Sequence, residues 1–510
     1  MKLPRWIRRF LRQRVLVALL ILLQFAFIGY TIFSNSMVSS IVMNTANLIS
    51  FLVVLHVVIS RDKPAYKISL IFIIFMFPLF GGVFYLLYKS NAIWRPLHKR
   101  TDRINKSSAE FFRLHGDVAE EAKAKMSEFS SQISYADRYM GFPIYKNTEV
   151  SYYKLGEEMF AALCEDLKRA EKYIFLEFFI VKEGKMWSAV REILAERAAA
   201  GVDVRLIYDD MGCFYGFSDD KIEELEKEGI KISVFNTFVP FISSVQNNRD
   251  HRKIAVVDGR IAYTGGINIA DEYINEIERF GHWKDTAVRL LGDGAWSFTV
   301  MFLQMWSLCE GIDEDYRRYY PDDMPKTENG GFVLPYADSP VDSERMGEHI
   351  YMQMIDGARE YLYITTPYLI VDDDLLSSLR LAAKSGVDVR IITPHHADKK
   401  IVHFTTRSYY ELLIEAGVRI YEYTPGFIHA KSFVSDGKRA VVGTVNLDFR
   451  SLYLHFECGA LVYADGVVED IKEDFLKTLE VCQEITAKDC KSNLLVRSFR
   501  SIMRIFAPLM

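Results

Sequence analysis

The chain has 510 residues, 50% of them hydrophobic and 25% charged, with a formal net charge of −5. That composition excludes a disordered chain, a collagen-like repeat and a small disulfide scaffold, and at roughly 100 to 200 residues per domain the length predicts about three structural units. The charge is unevenly spread: residues 1–106 hold 15 Lys/Arg against 2 Asp/Glu, which leaves the rest at −18, a poor general binder of nucleic acid because such binding needs clustered cations.

Val15 to Phe33 carries no charge over 19 residues, close to the roughly 20 that cross a hydrocarbon core. It lacks a small-x-small cleavage site and further apolar runs follow it, which favours an anchor over a secretory leader. Those runs are about Met37 to Ser60, interrupted by Asn44, Asn47 and His56, and Ile68 to Tyr88, which contains Pro78, Gly81 and Gly82. Six basic residues precede the first run and six follow the third. The positive-inside rule puts both clusters in the cytoplasm, so two crossings plus one interfacial or re-entrant segment are favoured over three crossings.

Past this anchor the chain repeats itself. KYIFLEFFIV (172–181), a helical pattern around Trp187 to Ala200, and Gly201 to Ile207 predict a strand, a helix and a strand, with glycine just past the helix end. EYLYITTPYLI (360–370), a helix around Asp374 to Ser385, and Gly386 to Ile392 predict the same unit again. Strands alternating with helices of this length imply an α/β architecture, and two copies in one chain imply a pseudo-dimer.

Farther along, the repeat becomes rigid at an offset of 178: His251, Lys253, Asp258, Gly259, Gly265 and Asn268 match His429, Lys431, Asp436, Gly437, Gly443 and Asn446. H-x-K-x4-D is expected by chance roughly 0.04 times in such a chain, so two occurrences inside a duplicated unit are a strong signal. On a strand, side chains at i and i+2 share a face. Each His therefore points with its Lys, the lysine offering charge to a phosphate and the imidazole a nucleophile or a proton. Asp258 and Asp436, grouped with the catalytic motif, are also what a tight hairpin between Lys253 to Val257 and Ile261 to Thr264 wants, and the turn reading is preferred over direct chemistry. Asn268 and Asn446 are candidates to donate amides to phosphate oxygens.

Two His-Lys pairs meeting across an interface give what phosphodiester exchange requires, one imidazole to attack phosphorus and another to protonate the leaving alkoxide. Asp285 and Glu457 lie in corresponding strand-like stretches after the two motifs and are candidates to orient the histidines. The other nine histidines read as bystanders. No metal is expected, since there is no H-E-x-x-H and the six cysteines form no C-x-x-C pair. Those cysteines are expected as free thiols. Lys491 to Met510 alternates Lys491, Arg497, Arg500 and Arg504 with Leu494, Leu495, Phe499, Ile502, Met503 and Phe506. This fits either a basic amphipathic helix on an anionic lipid surface or a helix capping the core.

The doubled H-x-K-x4-D resembles that of the phospholipase D superfamily. Within it the chain is similar to bacterial cardiolipin synthases, through Asn248 to Asn268, WKDT at 283–286, PGFIHAK at 425–431, GTVNLDFRS at 443–451 and the apolar N-terminus. The resemblance implies an α/β fold in which N-terminal transmembrane helices precede two duplicated phospholipase D-type halves, paired about a pseudo-two-fold axis with one active site at their interface. The expected layout is a membrane anchor with two to three hydrophobic helices at 1–106, a linker at 107–138, halves at 139–328 and 329–490, and a basic amphipathic tail at 491–510. The implied reaction joins two phosphatidylglycerol molecules into cardiolipin and glycerol through a phosphohistidine, with His251 as nucleophile and His429 as acid and then base. Exchange of one phosphodiester for another needs no nucleotide and no Walker or Rossmann fingerprint occurs, so no cofactor is expected. The implied setting is a multi-pass bacterial cell-membrane enzyme with its catalytic part on the cytoplasmic side and no nucleic-acid partner.

Overall fold

The computed structural model describes residues 37–60, 62–77, 81–82, 85, 91–114, 118–213, 219–237, 247–327, 330–342 and 344–509, with isolated residues 22, 26, 29 and 30. The chain divides into two compact units, one of residues 1–97, 238–248 and 501–510, the other of 98–237 and 249–500.

In the first unit, helices α1 (Met37–Ile59) and α2 (Pro64–Met76) pack through Val53, Val54, Val57, Leu70, Ile74 and Tyr85. Their other faces leave Ile41, Leu48, Leu52, Leu55, Ile68, Phe72 and Phe75 exposed. Among the described residues no helix is long and apolar enough to cross a membrane. Asn44, Asn47 and His56 interrupt α1, and α2 has only 13 residues, about 20 Å at 1.5 Å per residue against the roughly 30 Å of a hydrocarbon core. The expected first span, Val15 to Phe33, lies outside the described residues apart from four isolated positions.

The second unit is built from two sheets of one topology. The first comprises β1 (Thr148–Tyr153), β2 (Tyr173–Phe178), β3 (Asp203–Asp209), β4 (Lys231–Phe235), β5 (Lys253–Val257), β6 (Ile261–Gly265) and β7 (Ala287–Gly292), in spatial order β1-β7-β6-β5-β2-β3-β4. The second comprises β8 (Phe332–Asp338), β9 (Tyr361–Thr365), β10 (Asp388–Pro394), β11 (Arg419–Tyr423), β12 (Ser432–Ser435), β13 (Arg439–Gly443), β14 (His455–Tyr463) and β15 (Cys482–Ile485). Its order, β8-β14-β13-β12-β9-β10-β11-β15, repeats the first sheet and adds one edge strand. In both sheets the strand-helix-strand units supply the parallel pairs, while the motif hairpins and the strands flanking them pair antiparallel. The crossover helices α3 (Lys185–Ala199) and α5 (Asp373–Lys384) fall where the sequence pattern puts them.

The core of the first half gathers Ile174, Leu176, Val204, Leu206, Ala255 and Val257 from the sheet and Trp187, Val190 and Leu194 from α3. Helix α4 (Gly294–Glu310) is apolar on nearly every face, as a helix enclosed on all sides must be, and Trp296, Phe298 and Phe302 on it are fully buried. It packs on β7 of one half and β8 of the other.

Short strands tie the two halves together. Arg249–Asp250, just ahead of the first motif, pairs in parallel with His455–Phe456 of β14. In the symmetric place Gly426–Ile428, just ahead of the second motif, pairs with His282–Lys284. Each motif therefore begins alongside the segment that leads to the other half's carboxylate, Glu457 within β14 and Asp285 one residue past His282–Lys284.

Candidate active site

His251 and His429 emerge from these exchanged segments. The His251 N–H donates to the Phe456 carbonyl at 2.9 Å, and the His429 N–H donates to the Lys284 carbonyl at 2.7 Å. Fixing the backbone this way aims each ring at the carboxylate of the residue that follows the accepting carbonyl, Glu457 or Asp285. His251 Nδ1 lies 2.9 and 3.0 Å from the two carboxylate oxygens of Glu457, and His429 Nδ1 lies 2.6 Å from Asp285 Oδ2. The pairing is crossed: the acid that follows each motif in sequence serves the histidine of the other motif.

Two neighbours hold the carboxylates in place. The Thr444 hydroxyl donates to Glu457, and the Thr286 N–H donates to Asp285 at 2.9 Å. Asp285 also needs room, because a Cβ at Gly266 would lie 2.0 Å from its Oδ1.

Lys253 and Lys431 share their histidines' faces and are almost completely buried. Lys253 Nζ donates to the His251 carbonyl at 2.6 Å and stands 5.7 Å from the centre of the Phe179 ring. Lys431 Nζ donates to the His429 carbonyl and lies 2.9 Å from His429 Nδ1. An aromatic wall closes the His429 side, with the rings of Trp283, Tyr273 and Phe427 centred 5.5, 5.7 and 6.0 Å from the imidazole.

Burial and then Lys253 hold His251 well below its ordinary value, with His455, Lys431 and His429 adding to the effect. Burial and Lys431 hold His429 at about 4, against the upward pull of Asp285. In the free site burial therefore disfavours the charged form of both imidazoles. Burial also lowers Lys253 to about 8 and Lys431 to about 7. Burial pushes Asp285 up, but Lys431 and His429 outweigh it and leave the carboxyl below its usual value. Glu457 is pushed well above the carboxylate range by burial, against Lys253 and Thr444.

The motif aspartates stand elsewhere. Asp258 and Asp436 sit at the far ends of β5 and β12 from the histidines, each in the left-handed region (φ 52° and 55°) ahead of a left-handed glycine. That is the backbone of a type I′ hairpin. Asp258 accepts the N–H groups of Glu171, Lys172 and Tyr173 at 2.7–2.8 Å, and Asp436 accepts those of Arg359, Glu360 and Tyr361 at 2.9 Å. Their carboxylates are thus engaged away from the histidines, in holding the entry to β2 and to β9.

Asn268 is buried with its amide engaged, accepting the Ile180 N–H at 3.0 Å and donating to the Tyr273 hydroxyl at 2.7 Å. Asn446 is buried with Oδ1 lacking a hydrogen-bond partner.

One histidine read as a bystander belongs to the site. The His455 ring centre lies 5.5 Å from that of His251 and its Nδ1 is 3.7 Å from Glu457, while neither ring nitrogen has a hydrogen-bond partner. Its position two residues before Glu457 on a strand was the available signal, since i and i+2 share a face. His251, His455 and Glu457 offer ligand atoms that all lie within 4.8 Å of one another, which makes them one of two groups among the described residues able to hold a metal ion. The six cysteines are free thiols.

Two repeated α/β halves that bring two His-Lys pairs into one buried site define a phospholipase D-like protein. A family model described as cardiolipin synthase, PLD-like domain, matches residues 163–278 and 351–479, one segment in each half. The chain is 34% identical to a cardiolipin synthase of Geobacillus sp. (strain WCH70), covering 89% of this chain and 90% of that one. It is 33% identical to cardiolipin synthase 2 of Bacillus anthracis, covering 90% of each, and 42% identical to an uncharacterized protein of Streptococcus mutans over 90% of this chain and 99% of that one. The chain belongs to the cardiolipin synthase family. The crystal structure of a phosphatidylserine synthase from Haemophilus influenzae shares the fold at 14% identity and a TM-score of 0.57, over 72% of this chain and 97% of that one.

Proposed function

We propose that the protein transfers a phosphatidyl group from one phosphatidylglycerol to another, making cardiolipin and glycerol. The observation that carries this is the crossed pair of histidine-carboxylate contacts, His251 with Glu457 and His429 with Asp285, inside a chain of the cardiolipin synthase family.

Neutral His251 attacks the diester phosphorus through Nε2 while the bond from phosphorus to the glycerol oxygen breaks. His429, which takes up a proton beside Asp285 once the anionic diester is bound, gives that proton to the departing oxygen, and glycerol leaves. As the His251 ring becomes positive, its Nδ1–H donates to Glu457, so the pair shares one proton through the step. His429, now neutral, takes the proton of the primary hydroxyl on a second phosphatidylglycerol. The oxygen attacks phosphorus and the phosphorus–nitrogen bond breaks, which regenerates both imidazoles. Lys253 and Lys431 hold the non-bridging oxygens in a buried site, where fixed charge acts most strongly on the developing transition state. Asn446 adds an amide to the same oxygens. Asn268 acts through the backbone at Ile180 and through Tyr273, and Asp258 and Asp436 belong to the turns.

Transfer outruns hydrolysis only where water is kept from the phosphohistidine. Trp283, Tyr273 and Phe427 supply an apolar wall on the side where the acceptor enters. The exposed apolar side chains of α1 and α2 support attachment to the bacterial cell membrane, with the basic clusters that flank the hydrophobic runs on the cytoplasmic side.

The test is to incubate the purified protein in detergent with phosphatidylglycerol alone and identify the products by mass spectrometry. Cardiolipin and free glycerol are expected. Phosphatidic acid without cardiolipin would overturn the transferase reading.

A further inference from the structure

The last helix of the chain, α7 (Leu494–Phe506), is amphipathic, yet none of its residues is buried. Leu495, Phe499 and Ile502 recur at spacings of four and three and so form one stripe, while Arg497, Arg500 and Arg504 form another. Leu494 and Leu495 are 79% and 81% exposed, and Phe499 and Ile502 are 53% and 45% exposed. From Lys491 to Met510 there are four basic residues and no acidic one.

The exposed surface continues onto the start of helix α6 (Lys400–Ile414). The Phe499 ring meets Phe404 of that helix at 5.3 Å, and the Arg500 guanidinium lies 5.9 Å from the Phe404 ring centre. Ahead of Phe404, Lys399 and Lys400 are exposed and Ile401 is 63% exposed. The same turn reaches the site: Lys399 Nζ stands 5.5 Å from the centre of the Tyr368 ring, the Tyr368 hydroxyl donates to Asp398, and Tyr368 packs on the core that contains Trp283 and Phe427. Those two residues flank His429.

We propose that α7 and the start of α6 form a docking surface for an anionic phospholipid bilayer, and that docking brings the His429 rim to the headgroup layer. In water Leu494 and Leu495 stay hydrated, and Phe499 and Ile502 about half so. At an interface the stripe enters the acyl boundary while arginine and lysine reach lipid phosphates. A protein partner is the weaker occupant, because the apolar stripe is narrow and flanked by charge of one sign. The docking stands on the helix alone; its effect on turnover rests on the reading above.

The test uses the full chain reconstituted in vesicles of phosphatidylcholine alone, or of phosphatidylcholine with phosphatidylserine, which is anionic without being the proposed substrate. Amide hydrogen exchange across residues 494–506 is expected to slow about tenfold or more in the anionic vesicles, with β5 and β12 unchanged. The double variant Leu495→Glu, Phe499→Glu loses that slowing, and the triple variant Arg497→Gln, Arg500→Gln, Arg504→Gln makes both vesicles equivalent. Equal exchange in the two vesicles for the unaltered chain would overturn the proposal, as would protection that follows protein concentration and ignores lipid.

In a second arm, the double variant makes less cardiolipin on vesicles but retains turnover of dispersed short-chain phosphatidylglycerol. Equal losses on both substrates would overturn the link to the site. If the unaltered chain is protected by anionic lipid yet makes no cardiolipin, the functional reading fails and the docking surface stands.

Discussion

The two halves of the catalytic unit share strand order, motif and exchanged segment, so their differences isolate what each histidine needs. On one side Asp285 remains below its usual value and lies 2.6 Å from His429 Nδ1, a placement that favours imidazolium. On the other side Glu457 is driven upward by burial, and His251 has Lys253 and His455 as neighbours, which disfavours a charged ring. A general acid has to become charged and a nucleophile has to stay neutral until it attacks. A symmetric scaffold is therefore chemically unequal through its two crossed carboxylates, and that inequality supports the roles proposed above, attack by His251 and proton transfer by His429.

The sharpest way to break this assignment is to remove each imidazole in turn. His251→Ala and His429→Ala are each expected to lower cardiolipin synthesis by roughly 10⁴-fold, as for members of a catalytic unit that act together. The two losses differ in kind. Given a phosphodiester whose leaving group needs no proton, such as a nitrophenyl ester, His429→Ala should still release nitrophenol in a burst and accumulate phosphohistidine at residue 251. His251→Ala should show no burst. A burst from His251→Ala with none from His429→Ala would reverse the roles.

A smaller effect sharpens the same contrast through pH. Burial and Lys431 lower His429 while Asp285 raises it. Asp285→Asn removes the raising group, so His429 surrenders its proton at lower pH. The basic limb of the kcat profile is expected to move to lower pH and kcat to fall about 10²-fold. Glu457→Gln is expected to slow turnover without moving that limb, because in the proposed mechanism Glu457 orients the nucleophile and not the acid. Equal displacement in both variants would show that the carboxylates act alike.

Much of this was legible in the residues themselves. Duplication at a fixed offset and the i, i+2 pairing of His with Lys follow from local spacing, and Asp-Gly announces its hairpin because few other dipeptides take two left-handed positions. The carboxylates could be picked out by their place after each motif. Which histidine each one serves could not, because that depends on Arg249–Asp250 lying along His455–Phe456, a contact between residues about two hundred positions apart. Gly266 carries no sequence signal for the same reason, since its lack of a side chain matters only once Asp285 arrives. His455 was within reach, being two residues before Glu457 on one strand, but a lone histidine carries no signal until the strand's partner is known. Along the N-terminus, hydropathy marked the apolar runs without fixing where each helix stops, and Pro64 and Phe77 bound α2 well short of a bilayer.

The smallest effect on chemistry, and a control on all the others, concerns the residues in which the halves agree. Asp258 and Asp436 each accept three backbone N–H bonds behind a left-handed Asp-Gly turn. Truncation leaves three donors without their acceptor and removes a side chain suited to the left-handed backbone. Asp258→Ala and Asp436→Ala are expected to cost about 2 to 3 kcal/mol of stability each, in thermal or urea unfolding. The folded fraction should keep the pH profile of the unaltered protein. The two variants should also resemble one another, because the turns, unlike the carboxylates at the histidines, have stayed equivalent since the halves diverged. A shift in the pH profile of either variant, measured on protein shown to be folded, would return that aspartate to the chemistry and show that the inequality between the halves reaches beyond Asp285 and Glu457.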